Sequence, residues 1–219
     1  MGVPIYTIIQ TSTYLMIRNN PSDYIDTYEP PQSIVGRAKL TKGGADTLMM
    51  FSIFSTDLKA LAELIKIGND PKAQNKAGFS ALMFASAYNT PEVINFLLEQ
   101  GAELEITEYL SEGNALHIAS RLNPKPEVFE ALVEAGLDIE SKDKDGNTPL
   151  LIASQFNQNL QVVEKLIVLG ANIEVMNSEG KSAYQYAHDR VDRKRGLPFG
   201  QFEFISKDYE QSVLTKLRP

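Results

Sequence analysis

A chain of 219 residues has room for one elongated domain or two small ones. Its content of 43% hydrophobic and 22% charged residues is that of a globular protein and argues against disorder. The 21 Lys and Arg against 28 Asp and Glu leave a net charge of −7, which disfavours general nucleic-acid binding, because counterion release needs clustered cations. Cysteine is absent, so there is no disulfide framework, thiolate nucleophile or zinc knuckle, and only His117 and His188 supply imidazole.

At the start of the chain, Val3 to Ile17 is fairly apolar but broken by Pro4, Thr7, Gln10, Thr11, Ser12 and Thr13, and no Lys or Arg precedes it as in a secretory signal. No run approaches the roughly 18 to 20 apolar residues of a membrane span. The expectation is a cytoplasmic chain with no membrane contact, export by a machine that reads other signals being left open. Residues 1–42 read as a non-repeat segment packed on the first unit of a repeat array. Pro30-Pro31 breaks it, and Ser33 to Thr41 reads as strand or loop.

From residue 43 onward the chain repeats. Stepping by 34 from Leu150 reaches Leu48, Leu82, Leu116 and Tyr184. Three positions later the same comb reaches Phe51, Ala85, Ala119, Ala153 and Ala187. Serine follows at Ser86, Ser120 and Ser154, and asparagine at Asn89, Asn123 and Asn157. A second comb catches Gly68, Gly101, Gly136 and Gly170. Fixed periods of this size signal a stacked array of small units, each unable to bury its apolar face alone.

Each unit predicts two short helices. The first runs from about Ala81 to Tyr88, with Ala85 letting a neighbour approach closely, and stops at Asn89, which tolerates a left-handed helix end. The second opens at Pro91, a residue suited to the first turn. Val93, Ile94, Leu97 and Leu98 give it an apolar stripe, and Gly101 ends it. Gly113, Gly146 and Gly180 mark tight turns in the polar stretches between units. Leu82 to Gly101 spans 19 positions and its counterparts span 20, which places the extra residue in the bends at Asn123-Pro124-Lys125-Pro126 and Asn157-Gln158-Asn159. The step from Gly101 to Leu116 is also one longer than its counterparts, so that connecting finger holds an insertion of its own. Near the end, Phe202 and Phe204 alternate about Glu203 as in a short strand, while Tyr209, Val213, Leu214 and Leu217 suggest a final short helix.

A period of 34 alone fits tetratricopeptide repeats better than ankyrin repeats of 33. The residue identities decide otherwise. Gly146-Asn147-Thr148-Pro149-Leu150-Leu151-Ile152-Ala153 closely resembles the ankyrin signature that opens a first helix. Asn114-Ala115-Leu116-His117-Ile118-Ala119 and Ser80-Ala81-Leu82-Met83-Phe84-Ala85 look like weaker copies. Leu169-Gly170-Ala171-Asn172-Ile173 and Gln100-Gly101-Ala102-Glu103-Leu104 are similar to the family's helix end and outward loop. The resemblance implies an all-α solenoid of about five helix-turn-helix units between residues 43 and 190, divided near 43–73, 74–107, 108–141, 142–175 and 176–190. Residues 191–219 would form a C-terminal capping extension.

The resemblance also gives His117 the family's structural role, a hydrogen bond between neighbouring units. His188 reads as a partly exposed helical residue, and no metal ligand set, glycine-rich phosphate loop or Ser-His-Asp set is assembled. Three positions beyond the alanine comb stand Phe54, Tyr88, Leu122, Phe156 and Arg190, which the family places beside a concave groove that commonly takes a partner. They either pack under adjacent loops or form a contact row. Residues 69–188 hold 17 acids and 8 bases. One finger gathers Glu103, Glu105, Glu108 and Glu112 around Tyr109 and Leu110, either as a solvated loop or as an electrostatic guide for a basic partner. Arg190, Arg193, Lys194 and Arg195 form the basic cluster.

The expected function is a non-catalytic protein–protein interaction module, monomeric and without cofactor or metal, that presents a concave groove and finger tips to a basic protein partner. The expected contacts are Phe79, Tyr88, Tyr109, Leu110, Leu122, Asn147 and Phe156, with Glu103, Glu105, Glu108 and Glu112 steering. One alternative is a dedicated inhibitor or immunity-type protein that blocks a basic enzyme or toxin. The other is an enzyme with its active site in the non-repeat flanks, against which stands the lack of a nucleophile–base pair there.

Overall fold

The computed structural model describes residues 45–195 and 214–218. The readings of residues 1–42, of Phe202 and Phe204, of Tyr209 and Val213, and of the basic side chains from Arg190 to Arg195 lie outside the described residues. Nine helices with defined bounds follow in chain order among the described residues: α1 Ala45–Phe54, α2 Leu58–Lys66, α3 Ala81–Tyr88, α4 Pro91–Glu99, α5 Ala115–Leu122, α6 Pro126–Glu134, α7 Pro149–Phe156, α8 Leu160–Val168 and α9 Ala183–Arg195. A short helical turn covers 214–216. The described residues contain no strand, only isolated antiparallel bridges Gln74–Ser80 and Met176–Ser182 at the finger bases. None of the described helices is long and apolar enough to cross a membrane.

Local chemistry sets these boundaries. Ser80 accepts from the Met83 N–H at the start of α3, Asp57 from Lys59 and Ala60 at the start of α2, and Asn114 and His117 form a reciprocal cap on α5. Proline takes the first turn of α4, α6 and α7, where no N–H is needed. The second helices end in glycine at positive φ, Gly101 at 90° and Gly136 at 116°. The Gly101 N–H returns to Leu98 O and the Ala102 N–H to Leu97 O, which satisfies the last carbonyls of α4.

First helices stack in one layer, α1 on α3 on α5 on α7 on α9, and second helices in another, α4 on α6 on α8. The core runs between the layers as one cluster. Ala85, Ala119 and Ala153 are completely covered, so first helices meet through their smallest side chains. The inserted residue sits in the bends: two residues join α3 to α4, whereas three join α5 to α6 and α7 to α8.

Asn89, Asn123 and Asn157 do not end their helices in the left-handed conformation expected for them. Their φ values are −108°, −85° and −68°, in the extended region. What fixes asparagine here is a ladder between units. Asn89 Nδ2 donates to Ser52 O and Ser55 O, Asn123 Nδ2 to Ser86 O and Asn89 O, and Asn157 Nδ2 to Ser120 O and Asn123 O, all within 2.9–3.1 Å. Each rung satisfies buried carbonyls at the end of the preceding first helix, a task that needs an amide donor on a short stem.

Beyond the last unit, Leu214 and Leu217 are buried in the same core, and Lys216 pairs with Glu164 on α8 at 2.5 Å.

Candidate functional site

Four described fingers stack side by side and bond tip to tip. The Tyr109 N–H donates to Ala77 O at 3.0 Å, Lys144 N–H to Ser111 O at 2.9 Å and Ser178 N–H to Asp145 O at 3.0 Å. Three tips share one recipe, Asn75 to Gly78, Asp143 to Gly146 and Asn177 to Gly180, in which an Asx side chain caps the loop and glycine closes it at positive φ. Gly78 and Gly146 are also required by the neighbouring tip. A Cβ on Gly78 would lie 2.8 Å from Tyr109 Cδ1 and 2.9 Å from Tyr109 N, and one on Gly146 would lie 2.8 Å from Ser178 Oγ.

The finger from Glu108 to Gly113 holds the extra residue, and its chemistry changes accordingly. The closing bond runs from Glu112 N–H to Glu108 O, and Glu112, not Gly113, adopts the positive φ of 57°. A loop one residue wider needs a longer cap. The Glu108 carboxylate accepts the N–H of Leu110 and of Ser111 at 2.7 Å each, the Gly113 N–H at 3.4 Å and the Ser111 hydroxyl. Burial pushes the Glu108 carboxyl up, but the hydrogen bonds from Ser111, Leu110 and Gly113 outweigh it and hold it below the usual carboxylate range. With 3% exposure, Glu108 is the cap of the loop and leaves the steering set. Glu105 and Glu112 face solvent, and Glu103, also exposed, lies 3.7 Å from Lys72.

His117 bridges units as the resemblance implied. Its Nε2 faces Ser141 O at 3.1 Å and Asn147 O at 3.2 Å, so this nitrogen carries a proton, while Nδ1 lies 2.8 Å from Asn114 Oδ1 and 3.3 Å from the Asn114 backbone nitrogen at the start of α5. Burial pushes the His117 pKa down, opposed by Asp143, the two carbonyls and Glu108. Asn147 is a connector as well: its amide donates to both oxygens of Asp143, and Oδ1 accepts from Asn177. With both polar atoms of its side chain engaged, one within its finger and one across to the next, it drops from the contact set.

The row of first-helix ends has a graded exposure. Tyr88 is half-buried against the core, Leu122 is half-buried, and Phe79 packs on Phe84 with ring centres 5.6 Å apart. The Tyr88 hydroxyl is buried without a partner, and burial raises its pKa to about 12. Phe156 is 40% exposed, and the Arg121 guanidinium lies 4.1 Å from its ring centre. Arg121 was not singled out from the sequence, although it is the lone arginine between residues 69 and 188 and adjoins Leu122. Its desolvation is opposed by the charges of Asp143 and Glu108. The most exposed large apolar side chains of the fingers are Tyr109 at 65% and Leu110 at 74%, followed by Met176. Among the described residues no cluster of His, Asp or Glu suits a metal ion.

A family model described as Ankyrin repeats (3 copies) matches residues 116–193, and one described as Ankyrin repeat matches residues 77–109, together just over half of the chain. The E3 ubiquitin-protein ligase Ufd4 of Drosophila melanogaster is 32% identical over 99 residues, 45% of this chain and 4% of its own length. Protein PhlB of Serratia liquefaciens is 29% identical over 104 residues, 48% of this chain and 45% of its own. NF-kappa-B inhibitor delta of Mus musculus is 31% identical over 93 residues, 42% of this chain and 28% of its own. The chain spans less than half the length of each of these relatives.

Proposed function

The chain belongs to the ankyrin-repeat family, and on that premise we propose that it works as a non-catalytic module holding a protein partner against its first-helix ends and finger tips. Ankyrin repeats are a protein–protein interaction fold; the concave groove and the basic character of the partner are our reading. The observation that carries it is the division of labour among the side chains. Glu108, His117, Asp143 and Asn147, the groups with most chemical potential, are engaged in holding loops together, while Tyr109, Leu110 and Phe156 are left facing solvent. These four scaffold groups are satisfied internally and apolar groups are offered outward, the pattern of a recognition surface. Rigid stacking lowers the ordering cost of docking.

The burial of Leu214 and Leu217 and the Lys216–Glu164 pair support residues 191–219 as a cap for the last unit, which favours a monomer. A second reading, inhibition by occupying a partner's surface, is supported by the likeness to NF-kappa-B inhibitor delta, whose name gives that role for that protein.

A mass-resolved pull-down with the full chain from its native source, followed by reconstitution of the purified pair, tests the proposal. A stoichiometric complex supports it. A chain that forms no complex with any recovered protein contradicts it.

A further inference from the structure

Three finger tips are short and mostly polar; the one from Glu108 to Gly113 carries Tyr109 and Leu110 at its crest. These side chains are exposed, yet the backbone beneath them is fixed from several directions. Glu108 gathers the loop's own N–H groups, the Tyr109 N–H is held by Ala77, Ser111 O receives the Lys144 N–H, and Lys144 Nζ donates to Leu110 O. The Tyr109 ring is set against Gly78, where no side chain could fit.

Two adjacent large apolar groups kept in water forgo roughly 25 cal/mol for each Å² that burial would cover. A loop fixed so firmly has no means of folding them away. The first-helix row offers less: Tyr88 and Leu122 are half-buried, and Phe156 is faced by Arg121. Around the crest the exposed charges are Glu105, Glu112 and Asp145 against Lys76 and Lys144, the Lys144 ammonium being turned to the Leu110 carbonyl, and residues 69–188 as a whole hold 17 acids against 8 bases.

We propose that the finger Glu108–Gly113, rather than the first-helix row, is the anchor of the interface, and that it inserts Tyr109 and Leu110 into an apolar socket rimmed by Lys and Arg on a protein partner. This rests on the reading of the chain as a protein-binding module. The fixed loop supplies the anchor at little entropic cost, and the net negative charge of the repeats, with Glu105 and Glu112 nearest the crest in the chain, speeds encounter with a basic surface.

A benzophenone amino acid placed in the full chain at Leu110, Leu122 or Val168, in separate preparations, reports which surface the partner covers in an extract of the native source. The captured protein is then purified and titrated against the unaltered chain, Tyr109→Ser/Leu110→Ser and Glu105→Lys/Glu112→Lys. The expected result is capture from position 110, binding weaker by about 30-fold or more for the apolar pair, and slower association with a flatter salt dependence for the charge pair. Leu110→Ser alone guards against loss of fold, since it should keep the melting temperature and still weaken binding about tenfold. Capture confined to Leu122, an acidic partner, or undiminished affinity of the apolar pair overturns the finger anchor and leaves the binding-module reading in place. Capture from none of the three positions overturns both.

Discussion

The side-chain amide of Asn123 donates to the backbone carbonyl of Ser86, 37 positions earlier in the chain, at 2.9 Å. The same nitrogen reaches Asn89 O at 3.1 Å, so one side chain ties the end of its own first helix to the end of the helix before it. Replacement by alanine strands buried carbonyls, and Asn123→Ala should therefore cost roughly 1 to 3 kcal/mol. Exposed Asn95 on α4 provides the control, expected within about 0.5 kcal/mol of the parent. Urea denaturation checks both, and equal midpoints would show that the ladder contributes nothing.

Stacking of the finger tips predicts a difference between two glycines of similar backbone. Gly78 at φ +87° is crowded by Tyr109, whereas Gly170 at φ +100° has nothing within 4 Å of an added Cβ. Both alanine variants bear conformational strain of roughly 1 to 3 kcal/mol. Gly78→Ala should cost more than Gly170→Ala and should also displace the backbone amide NMR signal of Tyr109. Equal losses would remove the close approach of the two tips from the explanation.

Much of this arrangement was legible in the sequence because stacking imposes the same demand on every unit. Leucine, alanine and the terminal glycines recur at fixed intervals since each fills an equivalent hole or turns an equivalent corner. The meaning of Asn89, Asn123 and Asn157 was not legible: a local rule about helix ends explained them plausibly, while their partners lie more than 30 residues away. Glu108 was hidden for a related reason. Among Glu103, Glu105 and Glu112 it looks like one more solvated carboxylate, whereas it takes the loop-capping place that Asn75, Asp143 and Asn177 hold in the other tips.

Protonation should act on stability through two groups in adjoining pH windows. His117 has a folded pKa below its ordinary value near 6.5, so the unfolded chain takes up the proton more readily. Its contribution is complete above that value and is lost as the pH falls from there through the folded pKa. Glu108, also lowered, contributes fully above its ordinary value of 4.5 and loses that contribution as the pH falls further. Thermal melts from pH 7 to 3 should show His117→Gln flattening the upper part of the decline and Glu108→Gln the lower part. A parallel offset at all pH values for both variants would contradict the assignment.

Phe156 and Leu150 share α7 but face opposite fates. Leu150 is buried in the core, and Leu150→Ala should cost roughly 2 to 5 kcal/mol. Phe156 keeps part of its ring in solvent beneath Arg121, and Phe156→Ala should lose about 0.5 to 1 kcal/mol for the cation–π contact plus a modest burial term. Comparable losses at the two positions would make Phe156 a core residue.

Rigid presentation requires the finger to be set before any partner arrives. Amide hydrogen exchange of the free chain reads this directly, because the N–H groups of Tyr109, Leu110, Ser111 and Glu112 lie on an exposed tip and are all hydrogen-bonded. They should exchange at least about tenfold more slowly than unstructured amides, and Glu108→Gln should speed Leu110 and Ser111 while sparing Tyr109. Exchange of these four amides at the unstructured rate in the unaltered chain would mean a loop without fixed form, and the anchor would have to be ordered by its partner.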